Sequence, residues 1–460
     1  MEEINVFIGR EEELEVLHNL LEKPSVSAMI YGKRKVGKTT LLNKALDVSS
    51  DKKIYYECLK APMQDNIDGF VAMLVQENVL PVQLTFTSFT DVFAYLNSID
   101  ATFNVIIDEY PYLKSFTKPE TVDSIFQSII DNHIKNVRLF ISGSHIGMMK
   151  DLLEEKNALY GRFSTTLCLK ELDYVTAAKF YNSKSTYEKI AMYSVFGGSP
   201  YVNMALCKTK SLKENIISTI LNPTSYVHTY AEHLLISDYT NALNAERIFY
   251  AISNGQRKYS EIEDRLGLKV NGNLSKQLLS LEKMEIIAKV YPINKPDDKK
   301  KVSYEVRDNL LRFYYAFIYK NKSALQVLGA EAFYEEYIEE SITTFISHRF
   351  EEMVRTYFSL LVKARKLRGI SNIGTFYYDD GVTHSHGEFD VVLERKGIYD
   401  IYEVKYYSAP LQLREIHKEV AQIRNIKGLQ IGNIGFVATA GYEETPDGYH
   451  FIDADELYNI

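Results

Sequence analysis

The sequence predicts an α/β protein: a doubly wound parallel sheet with a helical lid, then three helices and a hairpin, then a smaller α/β domain. Three observations support this prediction. Short apolar runs alternate with helix-length segments over the first ~170 residues, a basic region follows in an otherwise acidic chain, and two apolar runs flank a helical pattern near the end. Because 460 residues are too many for one hydrophobic core, we expect several domains.

Composition limits the class of protein. The chain is 46% hydrophobic and 25% charged, which is typical of a globular protein. Its first residues are acidic and polar, and no stretch reaches the ~18 apolar residues of a membrane span. Its three cysteines are far apart, which excludes a zinc ribbon or a disulfide framework. We therefore expect a soluble, cytoplasmic protein without a membrane partner.

The first predicted domain, residues 1–170, begins with a helix over Glu11–Leu21, whose leucines recur at helical spacing behind an acidic first turn. Apolar runs then predict strands at residues 26–31, 54–59, 103–107, 137–141 and 167–169. Helix-length segments separate these strands, as in a parallel sheet with helices on both faces. Residues 171–243 carry helical patterns, broken at 197–200, and predict a helical lid.

Residues 244–322 are predicted to form a winged helix-turn-helix, with three helices followed by two strands around a charged turn. From residue 245 to 322 there are 16 lysines and arginines against 10 aspartates and glutamates, whereas the whole chain has a net charge of −8. This basic region favours contact with DNA. The candidate contacts lie on the third helix and at the wing: Asn273, Ser275, Lys276, Gln277, Lys299, Lys300 and Lys301. A protein-packing module is the alternative.

The phosphate-loop pattern G-x-x-x-x-G-K-[ST] is matched by GKRKVGKT, between a predicted strand and a predicted helix. Gly32 and Gly37 let backbone N–H groups approach phosphates, and Lys38 reaches the β- and γ-phosphate oxygens. The hydroxyl group of Thr39 is a Mg²⁺ ligand, and Thr40 completes the candidate nucleotide contacts. The pattern predicts an ATP-hydrolysing site with ATP and Mg²⁺ as cofactors.

An acidic pair, Asp108 and Glu109, ends the third predicted strand, as a Walker B motif requires. We expect Asp108 to hold Mg²⁺ through water and Glu109 to orient or deprotonate the attacking water. Ser144 follows the next strand. Its hydroxyl group either senses the γ-phosphate or belongs to an ordinary turn.

The last predicted domain, residues 330–460, carries Asp390, Glu403 and Lys405 on neighbouring apolar strands. If the chain reverses at the intervening Lys-Gly pair, Asp390 lies directly opposite Glu403, and Lys405 projects from the same face as Glu403. Facing carboxylates repel one another, so this pair is expected to bind a divalent cation, with Lys405 orienting a water for attack on a phosphodiester. An amphipathic hairpin with solvated charges is the alternative.

Six segments, in this order and spacing, resemble the prokaryotic or archaeal ATPase family related to AAA+ and STAND nucleotide switches: FIGREEEL, YGKRKVGKTTLL, VIIDEYPYL, LFISGSHIGMM, LYGRF and VFGGSPYVN. The resemblance implies three further nucleotide contacts. Arg10 is expected near the base, Pro200 against the nucleotide, and Arg162 as a γ-phosphate or intersubunit arginine. The intersubunit role would require a homo-oligomer.

The spacing of Asp390, Glu403 and Lys405 resembles the PD-(D/E)XK, or restriction-endonuclease-like, fold. The resemblance implies a third, helical carboxylate, for which Glu351 matches best and Glu352 is a rival. A working nuclease and a nuclease-like domain that binds DNA without cutting both stay open. The combined prediction is an ATP-hydrolysing protein that acts on DNA; the alternative is a nucleotide-dependent signalling switch whose C-terminal domains bind protein partners.

Overall fold

The computed structural model describes residues 7–233, 245–267, 273–298, 300–380, 385–426 and 429–460. The chain forms two compact units, residues 1–171 and 172–460. The predicted lid, winged-helix and nuclease-like segments all belong to the second unit. No helix in the described ranges is both long and apolar enough to cross a membrane.

The first unit contains a five-stranded sheet whose strands are all parallel. Its strands are β1 (Val26–Tyr31), β2 (Lys52–Glu57), β3 (Phe103–Asp108), β4 (Val137–Gly143) and β5 (Thr165–Cys168). Its helices are α1 (Glu11–Leu21), α2 (Lys38–Leu46), α3 (Met63–Gln76), α4 (Phe89–Ser98), α5 (Pro119–Asn132) and α6 (Ile146–Asp151), with a 3₁₀ helix over Tyr110–Lys114. The order β2-β3-β4-β1-β5 confirms the predicted parallel sheet and places β1 between β4 and β5.

Both faces of this sheet are covered by helices. Ala28 and Ile30 of β1 pack in one core with Leu41 of α2, while Met29 packs in a second core with Phe70 of α3. The side chains divide in this way because successive residues of a strand face opposite sides. All six residues of β1 are buried, which explains why the strand is apolar apart from Ser27. The loop that follows β1 is therefore held by a rigid strand.

The second unit begins with helices and a short hairpin. Its helices before the hairpin are α7 (Tyr174–Ala177), α8 (Thr186–Phe196), α9 (Pro200–Asn203), α10 (Leu212–Ser218), α11 (Tyr226–His233), α12 (Ala245–Ser253), α13 (Tyr259–Leu266) and α14 (Asn273–Lys283). The hairpin consists of β6 (Ile287–Val290) and β7 (Ser303–Val306), which are antiparallel. Three helices and a hairpin thus follow one another in the predicted order.

Three helices then lead into a second five-stranded sheet: α15 (Asn309–Phe313), α16 (Lys322–Tyr337) and α17 (Ile342–Lys363). The strands are β8 (Asn372–Asp380), β9 (Ser385–Arg395), β10 (Ile398–Lys405), β11 (Ile431–Ala438) and β12 (His450–Asp453), with α18 (Leu413–Arg424) after β10. The order is β12-β11-β10-β9-β8, antiparallel from β8 to β10 and parallel from β10 to β12. This mixed sheet agrees with the predicted smaller α/β domain.

The chain that leaves β6 covers the edge of the second sheet at β8. The Ile293 N–H group donates to the Thr375 carbonyl oxygen at 2.7 Å. The Asn294 side chain donates to the Tyr377 carbonyl oxygen at 2.7 Å and accepts from the Tyr377 N–H group at 3.1 Å. These bonds satisfy backbone groups that an open edge would leave unpaired. The hairpin region and the C-terminal sheet are therefore joined.

Candidate functional sites

The loop between β1 and α2 depends on its two glycines. A Cβ atom at Gly32 would lie 2.2 Å from the Leu169 carbonyl oxygen, too close for any side chain. Gly37, directly before α2, has a φ of 96°, in the region that glycine alone adopts readily. Together they let the loop turn tightly onto the first turn of α2, where unpaired N–H groups and the helix dipole attract anions.

Lys38 is the first residue of α2 and is only 6% exposed. Its Nζ atom donates to the carbonyl oxygens of Gly32, at 2.9 Å, and Lys33, at 3.0 Å. The ammonium group therefore lies inside the loop, where a bound phosphate would be expected. It is positioned before any nucleotide arrives.

Asp108, at the end of β3, joins three other elements through its carboxylate. The hydroxyl groups of Thr39, at 2.7 Å, and Tyr55, at 2.8 Å, both donate to its Oδ2 atom, and the Ser142 hydroxyl group donates to its Oδ1 atom. Asp108 is 4% exposed, and a buried carboxylate needs such partners. The network fixes the carboxylate beside the phosphate loop, while the predicted binding of Mg²⁺ by Thr39 and Asp108 stays a prediction.

The Tyr55 hydroxyl group stays protonated in this network. Burial, and then the negative charge of Asp108, raise the pKa of Tyr55 well above its usual value. Tyr55 therefore remains a hydrogen-bond donor at physiological pH. The oxygens of Thr39 and Asp108 are the hard ligands that Mg²⁺ prefers, so these two residues fit the expected cation.

Glu109 has a left-handed backbone, with a φ of 51°, which is uncommon outside glycine. Its Oε2 atom accepts hydrogen bonds from the Ser144 N–H group, at 3.1 Å, and the Ser144 hydroxyl group, at 2.9 Å. Such backbone strain costs about 1–3 kcal/mol and is concentrated at functional sites. Ser144, predicted as a γ-phosphate sensor, thus contacts the predicted base at the end of the neighbouring strand.

Arg10 contacts the phosphate loop directly. Its guanidinium group donates to the carbonyl oxygens of Val36, at 3.2 Å, and Lys170, at 2.6 Å, and pairs with Glu13 at 3.1 Å. These contacts stabilise the backbone of the phosphate loop. Its predicted contact with a base stays a prediction. Thr40 lies next to Thr39 on α2 and is exposed.

The expectation that Arg162 reaches the γ-phosphate within its own chain is wrong. Its Nε atom pairs with Asp131 at 3.1 Å, and its carbonyl oxygen accepts from the Ser27 hydroxyl group, near the start of β1. The phosphate loop follows the other end of β1, several residues of extended strand away. The intersubunit role stays a prediction. Pro200 begins α9 in the second unit, and its predicted nucleotide contact also stays a prediction.

The C-terminal hairpin has the predicted register. The pairs run from Ile398 opposite Arg395 to Tyr402 opposite Val391, so the ladder ends one residue before Glu403 and Asp390. Asp390 keeps contact with solvent. Its dense protein surroundings, and then the negative charge of Glu351, raise its pKa to about 7, with Glu403 contributing further. The three carboxylates therefore act on one another, which is the repulsion that the sequence predicted.

Lys405 neutralises part of this negative charge. Its Nζ atom lies 3.3 Å from the Glu403 Oε2 atom and 3.1 Å from the Glu419 Oε1 atom on α18. Burial alone would lower the pKa of Lys405, but the charges of Glu403 and Glu419 outweigh it and raise the pKa. Lys405 is thus a cation held by two carboxylates, and Glu419 is a neighbour that the sequence pattern did not reveal.

Glu351 and Glu352 of α17 point to different partners. Glu351 raises the pKa of both Asp390 and Glu403, after the larger effect of burial. Glu352 instead pairs with Arg349 at 2.5 Å. This favours Glu351 as the helical carboxylate. Within the described ranges, however, no three acidic, His or Cys side chains lie close enough to form a ready-made metal site.

Two predicted DNA contacts on α14 face different surroundings. Lys276 is exposed, but Gln277 is half-buried and its Oε1 atom is shielded from solvent without a hydrogen-bond partner. Gln277 lies beside the face that Leu274 and Leu278 bury. The predicted contact of Gln277 with DNA stays a prediction. Ser275 is exposed and donates to the Tyr259 hydroxyl group at 3.2 Å.

The lysines of the wing differ in whether they are free to contact DNA. Lys300 is exposed, whereas the Lys301 Nζ atom lies 3.5 Å from the centroid of the Tyr377 ring on β8. This cation–π contact holds Lys301 against the second sheet. Lys299 and the side chain of Asn273 lie outside the described residues.

Sequence reasoning missed Tyr55 in the nucleotide site, and it named Ser142 only with Ser144, as a segment whose hydroxyl group could sense the γ-phosphate. Tyr55 and Ser142 each lie near the carboxyl end of a strand beside β3, so their hydroxyl groups reach Asp108. A polar side chain near the end of an apolar run was the available signal. Strand order was needed to use it.

Two family matches cover much of the chain. Residues 7–204 match a family described as an ATPase domain predominantly from Archaea. Residues 314–419 match a family described as archaeal and bacterial proteins of unknown function. The uncharacterized protein MJECL04 of Methanocaldococcus jannaschii is 30% identical over 370 residues, which are 79% of this chain and 79% of that protein.

Solved structures resemble the chain in fold. The Walker-type ATPase of Pyrococcus abyssi is 19% identical, with a TM-score of 0.52 over 67% of this chain and 96% of that one. The ORC2 protein of Aeropyrum pernix, solved with ADPNP and ADP, is 14% identical, with a TM-score of 0.46 over 70% of this chain and 96% of that one. The first of these places the chain among P-loop ATPase folds.

Proposed function

We propose that this chain, which belongs to the same family as the Methanocaldococcus jannaschii protein and carries an ATPase domain of the predominantly archaeal type, hydrolyses ATP and acts on DNA. One observation carries the ATPase proposal. A hydrogen bond from Thr39 links the phosphate loop to Asp108 at the end of β3, and a hydrogen bond from Ser144 holds the carboxylate of the adjacent Glu109. Binding, metal and water-activating groups are thus assembled in one unit.

The residues divide the work of hydrolysis. Lys38 and the N–H groups of the loop bind the β- and γ-phosphates and offset their charge, while Thr39 and Asp108 provide oxygen ligands for Mg²⁺. When bound, Mg²⁺ neutralises charge that develops on the phosphate oxygens. Glu109 holds the attacking water and accepts its proton. Ser144 fixes the carboxylate of Glu109 until a γ-phosphate competes for the serine hydroxyl group.

Replacing Glu109 with Gln tests the role of this carboxylate. Gln keeps an oxygen that can accept from Ser144 and loses only the charge that attracts a proton. We expect ATP affinity to change less than about threefold and hydrolysis to slow by about 10²–10³-fold, within the range for general bases. Equilibrium binding of a fluorescent ATP analogue and single-turnover phosphate release measure the two effects. Loss of ATP binding would show instead that Glu109 is structural.

For the second unit we propose DNA contact through α12–α14 and the β6–β7 hairpin, acting as a winged helix. The basic balance of residues 245–322 and the exposure of Lys276 and Lys300 support this proposal. Ser275 beside Lys276 offers a further hydroxyl group. Lysines near phosphates contribute affinity and no sequence preference, so we expect binding that depends on salt more than on sequence.

The double substitution Lys276→Gln with Lys300→Gln tests this contact. Each lost phosphate contact should lower the slope of log K against log salt by about 0.9, so the double variant should lose about 2. Lys283→Gln, an exposed lysine at the other end of α14, is the matched control and should lose less than half of that. Fluorescence anisotropy with labelled duplex DNA over a salt series measures the slope. Identical slopes for wild type and double variant would exclude this face.

For the C-terminal sheet we propose a nuclease-like site of the PD-(D/E)XK type at Asp390, Glu403, Lys405 and Glu351. The hairpin register and the mutual repulsion of the carboxylates support it. Carboxylate oxygens suit Mg²⁺, which would polarise a phosphodiester when bound. Lys405 would then orient the attacking water, once a cation displaced it from Glu403. A nuclease-like domain that binds DNA without cutting would keep this fold and lack only the attack of the water on the phosphodiester.

A signalling switch is the second candidate function, and one observation favours it. The hairpin of the proposed winged helix is docked on the edge of the second sheet, with Lys301 held over Tyr377. A wing that packs on protein is less available to DNA. In such a switch ATP would change the surface offered to protein partners, and DNA would not alter ATP turnover.

A further inference from the structure

Four arginine side chains of the second unit act electrostatically on Glu352 of α17, although they come from distant parts of the sequence: Arg257, Arg312, Arg349 and Arg355. Arg257 directly precedes Lys258, the N-cap of α13, and Arg312 lies on α15, while Arg349 and Arg355 lie on α17. Although burial alone would raise the pKa of Glu352, the charges of all four arginines together lower it. The helical and hairpin region thus contributes cations to a carboxylate of α17.

Fixed contacts position three of these guanidinium groups. Arg349 is 4% exposed and pairs with Glu352 at 2.5 Å, and the Arg355 Nη1 atom donates to the Asp390 carbonyl oxygen at 2.6 Å. Arg257 forms an ion pair with Glu305 of β7. Arg355 therefore places the arginine cluster directly beside the proposed carboxylate site.

The cluster keeps hydrogen-bond donors that no protein group accepts. In the part of the chain that the structure describes, the half-buried side chain of Arg312 forms no hydrogen bond or ion pair. The Nε atoms of Arg257 and the deeply buried Arg349 are shielded from solvent and also lack an acceptor. Buried donors without partners are rare in native proteins and require an explanation, of which an absent ligand is one.

Carboxylates offset only part of the repulsion at Arg312. Glu305 and Glu352 pair with two of the other guanidinium groups. Burial, and then the like charges of Arg349 and Arg257, lower the pKa of Arg312, although the charges of Glu352 and Glu351 act in the opposite direction. An anion that accepted hydrogen bonds from Arg312 would relieve this repulsion.

Geometry and charge together identify the kind of anion. Guanidinium groups are planar forks that match the paired oxygens of phosphates, and they serve in phosphate recognition for that reason. The Glu351, Asp390 and Glu403 carboxylates next to the cluster would repel a free anion. They would accept one whose other oxygen is shared with a divalent cation, as in a metal-bound phosphodiester.

We infer that Arg257, Arg312, Arg349 and Arg355 form a phosphodiester-binding site that holds a nucleic-acid strand beside Asp390 and Glu403. The inference rests on the proposed action on DNA and adds the residues that would hold the backbone. It also makes the site composite, because Arg257 and Arg312 come from the region before α16. A chain cut between α15 and α16 would lack half of the cations.

The test is Arg312→Gln in the full chain, assayed by anisotropy with labelled duplex DNA and Mg²⁺ over a salt series. We expect a loss of affinity of about tenfold at low salt and a slope smaller by about 1. Arg312→Lys, which keeps the charge, should recover part of the affinity. Arg307→Gln is the matched control, because Arg307 is an exposed arginine two residues before α15. It should bind like the wild type.

Melting curves of the same variants distinguish a ligand site from a structural arginine. Without ligand, Arg312→Gln should melt at a higher temperature than the wild type, since it removes repulsion; a structural arginine would give a lower temperature. Inorganic phosphate added together with Mg²⁺ should raise the melting temperature of the wild type more than that of Arg312→Gln. Phosphate protection with unchanged DNA affinity would assign the cluster to a free anion and overturn the nucleic-acid site.

DNA binding separates failure of the inference from failure of the proposed function. If the wild type binds DNA and Arg312→Gln binds it equally, with the same salt slope, the arginine site is wrong and the action on DNA stands. If the wild type binds no DNA, both are wrong.

Discussion

Lys38→Ala is expected to reduce ATP hydrolysis by at least about 10²–10³-fold, because the ammonium group neutralises charge that develops on the transferred phosphate. Lys38 is buried inside the loop and bonded to the carbonyl oxygens of Gly32 and Lys33, so removing its side chain also removes hydrogen bonds within the loop. Losing two such bonds costs about 1–3 kcal/mol of stability. A unit with a core on both faces of its sheet should tolerate that loss.

Lys44→Ala is the matched control for Lys38→Ala. Lys44 lies in the last turn of the same helix and is exposed. The Lys44→Ala variant should keep ATP turnover within about twofold of the wild type, as expected of a surface substitution remote from the site. Phosphate release at saturating ATP, with circular dichroism to verify folding, measures both variants. A folded Lys38→Ala variant that turns over ATP like the wild type would refute the nucleotide site.

Asp390→Asn is expected to reduce any Mg²⁺-dependent cleavage of DNA to background and to stabilise the metal-free chain. It removes one of the facing charges at constant shape, so the repulsion from Glu351 and Glu403 falls. The effect on stability should depend on pH. Because folding raises the pKa of Asp390 from its ordinary value near 4 to about 7, the wild type loses stability as pH rises through that window. The advantage of Asn should therefore be absent near pH 4 and full above pH 7.

Melting curves with and without Mn²⁺ measure this prediction. Mn²⁺ should raise the melting temperature of the wild type and have little effect on Asp390→Asn. Asp379→Asn is the matched control, since Asp379 is an exposed aspartate on the neighbouring strand β8. It should respond to Mn²⁺ like the wild type. If Mn²⁺ does not shift the wild-type curve, the cutting role must be abandoned while the fold remains.

Local patterns predicted the elements well, because burial on both faces of a parallel sheet leaves an unmistakable apolar run. The strand Val26–Tyr31 and the helix Glu11–Leu21 have the bounds that the sequence predicted. The register of the β9–β10 hairpin was also predictable, since a short turn fixes which residues face each other. Site residues that lie within one local sequence pattern could therefore be predicted from the sequence.

The relative positions of residues far apart in the sequence could not be predicted. The family resemblance predicted that Arg162 lies near the phosphates. In the structure Arg162 lies near the start of β1, at the end of the strand away from the phosphate loop. Arg312 and Arg349 influence each other electrostatically although they are far apart in the sequence, and no periodicity predicts this. Gln277 is different, because the spacing of Leu274 and Leu278 already indicated which face of α14 is buried. That signal was present in the sequence.

ATP turnover of the full chain as a function of added DNA tests the central claim most directly, because it asks whether the two units work on one task. Turnover is measured with Mg²⁺ and saturating ATP at low salt, with the Lys38→Ala variant as the background. We predict that duplex DNA increases turnover and that raising the salt concentration abolishes the increase, as expected for contacts to phosphates. Turnover that stays constant at DNA concentrations shown by anisotropy to saturate the chain would contradict a DNA-coupled ATPase.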